Sequence, residues 1–291
     1  MTAAPSIQPR REDRIAIESV NLPFLGTRID DMSLFQYLLL DISMHGAKII
    51  LPSWVIKRQM LHINDLIDFH LPFLFQGETF NKGGVAWSKW DEDLGGLTCG
   101  VRIDVRAPLY YPVFVSFEGK SIDMDLTEFQ NSEDLLIRIL KDTILLKKGI
   151  LIYLKHIRPI LPRITGFDRA TLDELENFLF HDVRTNAEAN MASLEKYLGR
   201  IGRDACTRSR IQQVFDLEEL RMVMEPELEA SVWGAAFEQE VMRQYIEAIV
   251  TLEKKVFYNY NTLVMIYAHA LTRSGPVCTL DEMEAHHETG T

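Results

Sequence analysis

The chain has 291 residues, 47% of them hydrophobic, and can therefore bury one large core or two modest ones. Its formal net charge is −11, of which residues 1–107 contribute −2, with 11 Lys and Arg against 13 Asp and Glu. This balance excludes general DNA or RNA binding, which needs a broad basic surface.

Residues 1–14 predict a flexible polar arm. They lack the apolar core that follows the basic start of a signal peptide, and no later stretch approaches the roughly 20 apolar residues of a membrane span. We therefore expect a cytoplasmic protein without membrane insertion. The segment "QPRREDR" concentrates three arginines, Arg10, Arg11 and Arg14, which by themselves indicate a solvated arm.

Residues 15–107 show the pattern of short strands separated by turn residues. The candidate strands are "RIAIESV", "FQYLLLDIS", "GAKIILP", "DLIDFHLPFLF", "GGVAWSKW" and "LTCGVRIDV", and the last two flank the turn-rich "DEDLGG". This spacing predicts a small antiparallel β-barrel or a sandwich. Trp87 and Trp90 are expected to pack in the barrel, with stacking on a ligand as the alternative.

Residues 108–272 predict a mainly helical domain. A hairpin with "EG" in its turn is expected first, within residues 113–126. Helical spacing of apolar residues then starts at Asn131 and Ser132 and runs to a pair of prolines. Further helices are predicted in "DRATLDELENFLFHDV", with Asp168 as N-cap, in "NMASLEKYLGRIG" and in "SRIQQVFDLEELRMVM". The expected fold is α+β, an N-terminal antiparallel barrel followed by helices.

A long final helix is predicted from Glu227 to about Leu271. Apolar residues recur every seventh position along it, at Leu228, Ala235, Met242, Ile249, Val256, Leu263 and Ala270. Two interpretations stay open: the helix packs within its own bundle, or the 228–270 seam joins two copies in a homo-oligomer. Residues 273–291 predict a disordered acidic tail.

The sequence lacks the patterns of common catalytic and metal sites. Cys99, Cys206 and Cys278 are widely separated and form no CxxC pair, so we expect three reduced structural thiols. His286 and His287 stand in the tail without further ligands nearby, which favours a solvated tail. Because no phosphate-cradling glycine loop, HExxH or GxSxG is present, we expect no enzyme, no metal and no cofactor.

The segment "DISMHG" follows an apolar strand and predicts a turn. Asp41 and Ser43 can bond nearby backbone there, while Gly46 accepts a positive φ or the close approach of a ligand. Taken alone, this is a common end of a strand. Its order after the arginine-rich arm gives it a second interpretation.

Arg10 and Arg14 form an RxxxR motif before the first predicted strand, and Asp41, Ser43 and Gly46 form DxSxxG at the turn after the second. This pair of motifs resembles the PilZ domain, the bacterial receptor module for cyclic di-GMP. The segment "GGVAWSKWDEDLGGLTCGVRID" is similar to the closing strands of that domain. The resemblance covers about the first third of the chain, residues 8–107, and the helical part resembles no family that we recognise.

The resemblance implies that these five residues bind cyclic di-GMP. The planar fork of arginine bonds phosphate oxygens, matches guanine O6 and N7, and stacks on a purine face. Asp41 would accept hydrogen bonds from the N1–H and N2–H₂ edge of guanine, Ser43 would offer a hydroxyl, and Gly46 would leave room. Candidates for further contacts are Arg11, His45 and Arg102.

We therefore expect a cyclic di-GMP receptor. The ligand would order the N-terminal arm on the barrel and so signal to the helical domain or to a protein partner. The alternative is a PilZ-like scaffold that works without ligand in motility, pilus or exopolysaccharide machinery. Such proteins usually lack these motifs, so the intact motifs favour the receptor.

Overall fold

The computed structural model describes residues 15–16, 23–56, 60–75, 78–103, 113–116, 121–124, 132–166, 168–201, 215–228, 233 and 240–272. The predictions for Arg10, Arg11, Arg14, Cys206, Cys278 and the 273–291 tail lie outside these described residues. The chain divides into two compact units, Met1–Ala107 and Pro108–Thr291.

Within the described residues of the first unit, seven strands form one antiparallel sheet. They are β1 Ile15–Ala16, β2 Phe24–Arg28, β3 Ser33–Ser43, β4 Gly46–Pro52, β5 Leu66–Phe75, β6 Glu78–Asp91 and β7 Gly96–Ile103. Their order is β1-β3-β2-β5-β6-β7-β4, and β4 also pairs with β3, so β2 to β7 close a barrel to which β1 is added. The predicted barrel is confirmed, and a short helix, α1 Ser53–Ile56, follows β4.

The barrel is filled by side chains that alternate inward along each strand. Tyr37 stands in the middle of an aromatic cluster, with ring centroids 5.9 Å from Phe24, 5.8 Å from Phe35 and 5.3 Å from Phe69. These four rings are buried and come from β2, β3 and β5. Because each buried aromatic side chain stabilises the fold by about 1.5–3 kcal/mol, the cluster binds these three strands together.

The second unit contains a hairpin and helices. The hairpin pairs β8 Val113–Ser116 with β9 Ser121–Met124. The helices are α2 Ser132–Ile157, α3 Leu161–Thr165, α4 Arg169–Glu176, α5 Asp182–Arg200, α6 Leu217–Met224 and α7 Glu240–Thr272, and a π-helical segment, Asn177–His181, joins α4 to α5. None of the described helices is long and apolar enough to cross a membrane.

Two predicted helices are one continuous helical run in the structure, residues 169–200. Asp168 is its N-cap, as predicted, and its carboxylate accepts a hydrogen bond from the backbone N–H of Thr171 at 2.8 Å. The π-helical segment lies inside this run and carries Phe180, whose ring meets Trp233 edge-on at 4.7 Å. No glycine or proline interrupts residues 169–198, so the backbone has no local reason to stop.

Helix α2 packs against α5 and α7, and buried polar groups cross the contact with α7. The side-chain amide of Asn259 donates to Asp142 Oδ2 at 2.9 Å and to Thr143 Oγ1 at 3.0 Å. Lys255 Nζ lies 3.7 Å from Asp142 Oδ1. A shift of either helix would leave these buried groups unpaired, so the network holds the register of α2 on α7.

The predicted start of the final helix at Glu227 is wrong. Residues 225–228 are not helical, and the described part of the last helix starts at Glu240. Glu253 of α7 accepts the backbone N–H groups of Glu227 at 3.0 Å and Leu228 at 2.8 Å, and Lys147 of α2 forms a buried ion pair with Glu227. The segment is therefore held by charged side chains in a non-helical conformation.

The part of the predicted seam that lies on the described α7 faces the core of its own unit. Its members there, Met242, Ile249, Val256 and Leu263, are buried, and Leu228 is buried in the non-helical segment before the helix. This agrees with packing within the chain's own bundle.

Candidate functional site

The β3–β4 hairpin carries the three residues of the DxSxxG motif. Asp41 and Ser43 end β3, Gly46 begins β4, and Met44 and His45 form the turn between them. The turn follows the third strand and not the second, because β2 was not predicted. The hairpin is otherwise where the sequence places it.

Hydrogen bonds fix the conformation of this turn. Ser43 Oγ donates to the Gly46 carbonyl at 3.2 Å, and the side chain of Ser43 is only 8% exposed. The backbone N–H of Ile103 in β7 donates to the His45 carbonyl at 3.0 Å. The hydroxyl of Ser43 thus already stabilises the turn.

Gly46 is not required by a left-handed backbone. Among the described glycines, positive φ occurs at Gly95 and Gly166. Gly46 instead starts a regular strand, where it is opposite Ser43 on one side and Arg102 on the other. The sequence suggests two roles for this glycine, a positive φ and the close approach of a ligand. Because Gly46 lies in a regular strand, only the second role is consistent with its backbone.

Strand pairing brings the motif residues onto one surface. Ile42, Ala47 and Val101 are buried and point into the barrel, so their neighbours along each strand point to its outer face. Two rows of Cα partners cross this face: Ser43, Gly46, Arg102, Gly84 and Leu66 in one, and Asp41, Lys48, Gly100 and Trp87 in the other. We call this surface, defined by those nine residues, the outer face.

Trp87 lies on the outer face and not in the barrel core. A Cβ atom added to Gly100 would be 2.0 Å from Trp87 Nε1, so the indole covers that glycine. A register shift between Val85 and Trp87 turns the side chain outward, and the residue is 44% exposed. Trp90 is 42% exposed. The expectation that both tryptophans pack in the barrel is wrong.

Lys48 is a member of the outer face that was not predicted from the sequence. It is the Cα partner of Asp41 on β3 and of Gly100 on β7. Alternation along "GAKIILP" was the available signal, because it places Lys48 on the same face as Gly46. Together with the exposed Arg102 it gives the face two cations beside one carboxylate, which suits a ligand with phosphates and hydrogen-bond donors.

The N-terminal strand enters the sheet beside the motif. β1 pairs with β3, with Ile15 opposite Ile42 and Ala16 opposite Asp41. Ile15 directly follows Arg14 in the sequence. The arginines of the RxxxR motif, and Arg11 between them, lie outside the described residues.

One protein-family model, that of the PilZ domain, matches residues 8–110. About a third of the chain therefore matches the PilZ domain family. The match includes both the RxxxR and the DxSxxG motifs. Among solved structures, the PilZ domain with c-di-GMP of YcgR from Escherichia coli is similar at 19% sequence identity and a TM-score of 0.25, covering 35% of this chain and 82% of that one. No curated protein has a matching sequence.

The described residues of the first unit hold neither a metal-ligand cluster nor an ionised thiol. Within the described residues, no group of three His, Cys, Asp or Glu side chains could hold a metal ion. Cys99 is buried in the barrel, and burial raises the pKa of its thiol to about 12, which keeps it protonated.

Proposed function

We propose that the PilZ domain binds cyclic di-GMP on the outer face, between the β3–β4 hairpin and the N-terminal arm. The observation that carries this proposal is the pairing of β1 with β3, in which Ile15 is opposite Ile42 and Ala16 opposite Asp41. The RxxxR motif therefore leads directly into the strand beside the DxSxxG motif. Both motifs can then contact one ligand.

In this proposal each residue type has a distinct task. Arg10 and Arg14 bond the phosphates and stack on the guanines, since arginine serves both. Asp41 accepts the N1–H and N2–H₂ donors of a guanine, while Ser43 and Gly46 hold the turn and leave room. His45 and Arg102 stand beside these residues and are candidates for further contacts, as is Arg11 in the arm.

Ligand binding would order the arm and change the surface that the barrel presents. That change would signal to the helical unit or to a protein partner, provided that the two states differ in ligand affinity. A receptor for an intracellular messenger would act in the cytoplasm. Motility and biofilm formation are the processes that this family's ligand suggests.

Isothermal titration of the full chain with cyclic di-GMP tests the proposal. We expect saturable binding of cyclic di-GMP and none of cyclic di-AMP, because adenine lacks the donor edge that Asp41 reads. One ligand per domain is expected, since Pro9 stands where PilZ domains that bind a stacked pair carry a basic residue. Asp41→Ala and Arg14→Ala should each lower the affinity at least about 100-fold, as loss of a charged hydrogen-bond partner costs about 3 kcal/mol or more.

Asp93→Ala is the matched control. Asp93 is an exposed carboxylate in the β6–β7 turn, and its loss should leave the affinity unchanged. Circular dichroism checks that all variants fold. Unaltered binding by either Asp41→Ala or Arg14→Ala contradicts the site, and absence of binding by the wild type leaves the ligand-independent scaffold as the better description.

A further inference from the structure

The outward face of α7 carries a second regular repeat, distinct from the buried seam. Its members follow each other in alternating steps of four and three residues: Arg243, Glu247, Val250, Lys254, Phe257, Asn261, Val264 and Ala268. Such steps keep side chains on one side of a helix. All eight are at least partly exposed, and Phe257 is 52% exposed. We call these eight residues the α7 outer stripe.

The composition of the α7 outer stripe is that of a helix-pairing seam. Val250, Phe257 and Val264 recur every seven residues, and Glu247, Lys254 and Asn261 alternate with them. Apolar residues at one core position, with a lysine and an asparagine at the other, lower the stability of a coiled coil but specify its register and orientation. A solvated helix has no need of a phenylalanine there.

The charges of the stripe select the orientation of a partner helix. In a parallel pair of identical helices, Glu247 would stand against Glu247 and Lys254 against Lys254, which is repulsive. In an antiparallel pair with a two-fold axis midway between them, each Glu247 meets the partner's Lys254. The same axis places Arg243 opposite the aromatic ring of the partner's Tyr258, a cation–π arrangement.

We propose that two copies of this chain dimerise through the α7 outer stripe, antiparallel, about an axis between Glu247 and Lys254. The stripe is self-complementary, as a two-fold interface requires. The described helices would overlap from Glu240 to Asn261, about 33 Å, so six residues of the stripe, Arg243 to Asn261, form the interface and Val264 and Ala268 lie beyond it. This is a small interface, so we expect a dissociation constant in the micromolar range.

Sedimentation equilibrium of the full chain from about 1 to about 200 µM tests the proposal, because this range brackets the affinity of a small interface. The wild type should convert from monomer to dimer. Glu247→Lys and Lys254→Glu should each raise the dissociation constant at least about tenfold, and the double exchange should return it to within about threefold of the wild type. Arg221→Glu, on the exposed side of α6, is the charge-reversal control and should leave the dissociation constant unchanged.

Cross-linking tests the orientation, in a chain whose Cys206 and Cys278 are replaced by serine. Val250 lies beside the axis, so Val250→Cys should form a disulfide-linked dimer on mild oxidation. The two copies of Val264→Cys would be about 40 Å apart and should not cross-link, because a disulfide needs Cα atoms within about 7 Å. A cross-link at position 264 overturns the antiparallel arrangement. So does a wild type that stays monomeric, or a double exchange that remains as weak as the single ones.

Discussion

At the scale of single residues, glycines determine the shape of the outer face as much as its larger side chains do. Gly46, Gly84 and Gly100 stand at neighbouring positions on β4, β6 and β7. Gly84 and Gly100 differ in what lies above them: the indole of Trp87 covers Gly100, whereas Gly84 meets little. The position of Trp87 on the outer face therefore requires that residue 100 be glycine.

Gly100→Ala should displace Trp87, because the added Cβ would lie 2.0 Å from its Nε1. We expect the free energy of unfolding of the barrel to fall by about 1–3 kcal/mol, the usual cost of overpacking. Urea denaturation of the full chain measures it.

Gly84→Ala is the matched control for that change. Its added Cβ would meet only Leu66 Cδ2, at 3.8 Å, which is an ordinary contact. We expect its stability to change by less than about 0.5 kcal/mol. Equal effects of the two substitutions would show that Trp87 moves aside without cost.

At the scale of elements, one buried carboxylate ties α7 to the non-helical segment at residues 227–228. Glu253 Oε1 accepts the backbone N–H groups of Glu227 and Leu228, while Lys147 pairs with Glu227. Burial, with the neighbouring charge of Glu227, raises the pKa of Glu253 to about 7, and the cation of Lys147 opposes this. Ionisation of Glu253 therefore destabilises the folded state.

Glu253→Gln should make the helical unit more stable above pH 7. Because folded Glu253 holds its proton more tightly than unfolded Glu253, the wild type loses stability as pH rises from about 4.5 to about 7. Glutamine keeps an acceptor oxygen and cannot ionise, so we expect a gain of about 1–3 kcal/mol at pH 8 and none at pH 4.

Urea denaturation of wild type and variant across this pH range gives the difference directly. Glu188→Gln, which removes an exposed carboxylate on α5, is the control and should leave the free energy of unfolding at pH 8 unchanged. A Glu253→Gln difference that is flat, or that grows toward low pH, contradicts the assignment.

Elements whose own residues carry the pattern were predictable from the sequence. "GAKIILP" is β4 with the same bounds, and α2 starts at Ser132 as its capping pattern indicates. β2 was missed, because "FLGTR" is five residues long with a central glycine and no alternation. It is a strand since β3 and β5 pair with it on either side, and Gly26 faces the ring of Phe35.

The errors at the last helix and the site have the same cause. The seven-residue repeat continues through Leu228, but Glu253, 25 residues away, determines the backbone there. The motifs and strand alternation predicted which residues share a face. They did not predict that Trp87 points outward, because a register shift between two strands decides it. Contacts distant in sequence leave no local periodicity.

At the scale of the whole molecule, each unit has a hydrophobic core of its own. Ile49 lies at the centre of the barrel, and Ile139 lies in the helical unit, and both are fully buried. We expect two thermal transitions, one for each unit. Ile49→Ala should destabilise only the barrel and Ile139→Ala only the helical unit. Each should lower the free energy of unfolding of its own unit by about 2–5 kcal/mol.

Differential scanning calorimetry of the full chain and both variants is the measurement. The assignment of each transition follows from the variant that moves it. One cooperative transition lowered by both substitutions would mean that the two units fold as a single body.

The tryptophans of the two units differ in solvent exposure, so their fluorescence can distinguish the units. Of the four tryptophans, Trp54, Trp87 and Trp90 are in the first unit, where Trp54 is 63% exposed, while Trp233 in the second is 3% exposed. Water-exposed indoles emit at longer wavelengths than buried ones. The red edge of the intrinsic emission will report on the barrel and the blue edge on the helices, so an unlabelled sample shows which unit responds to a ligand first.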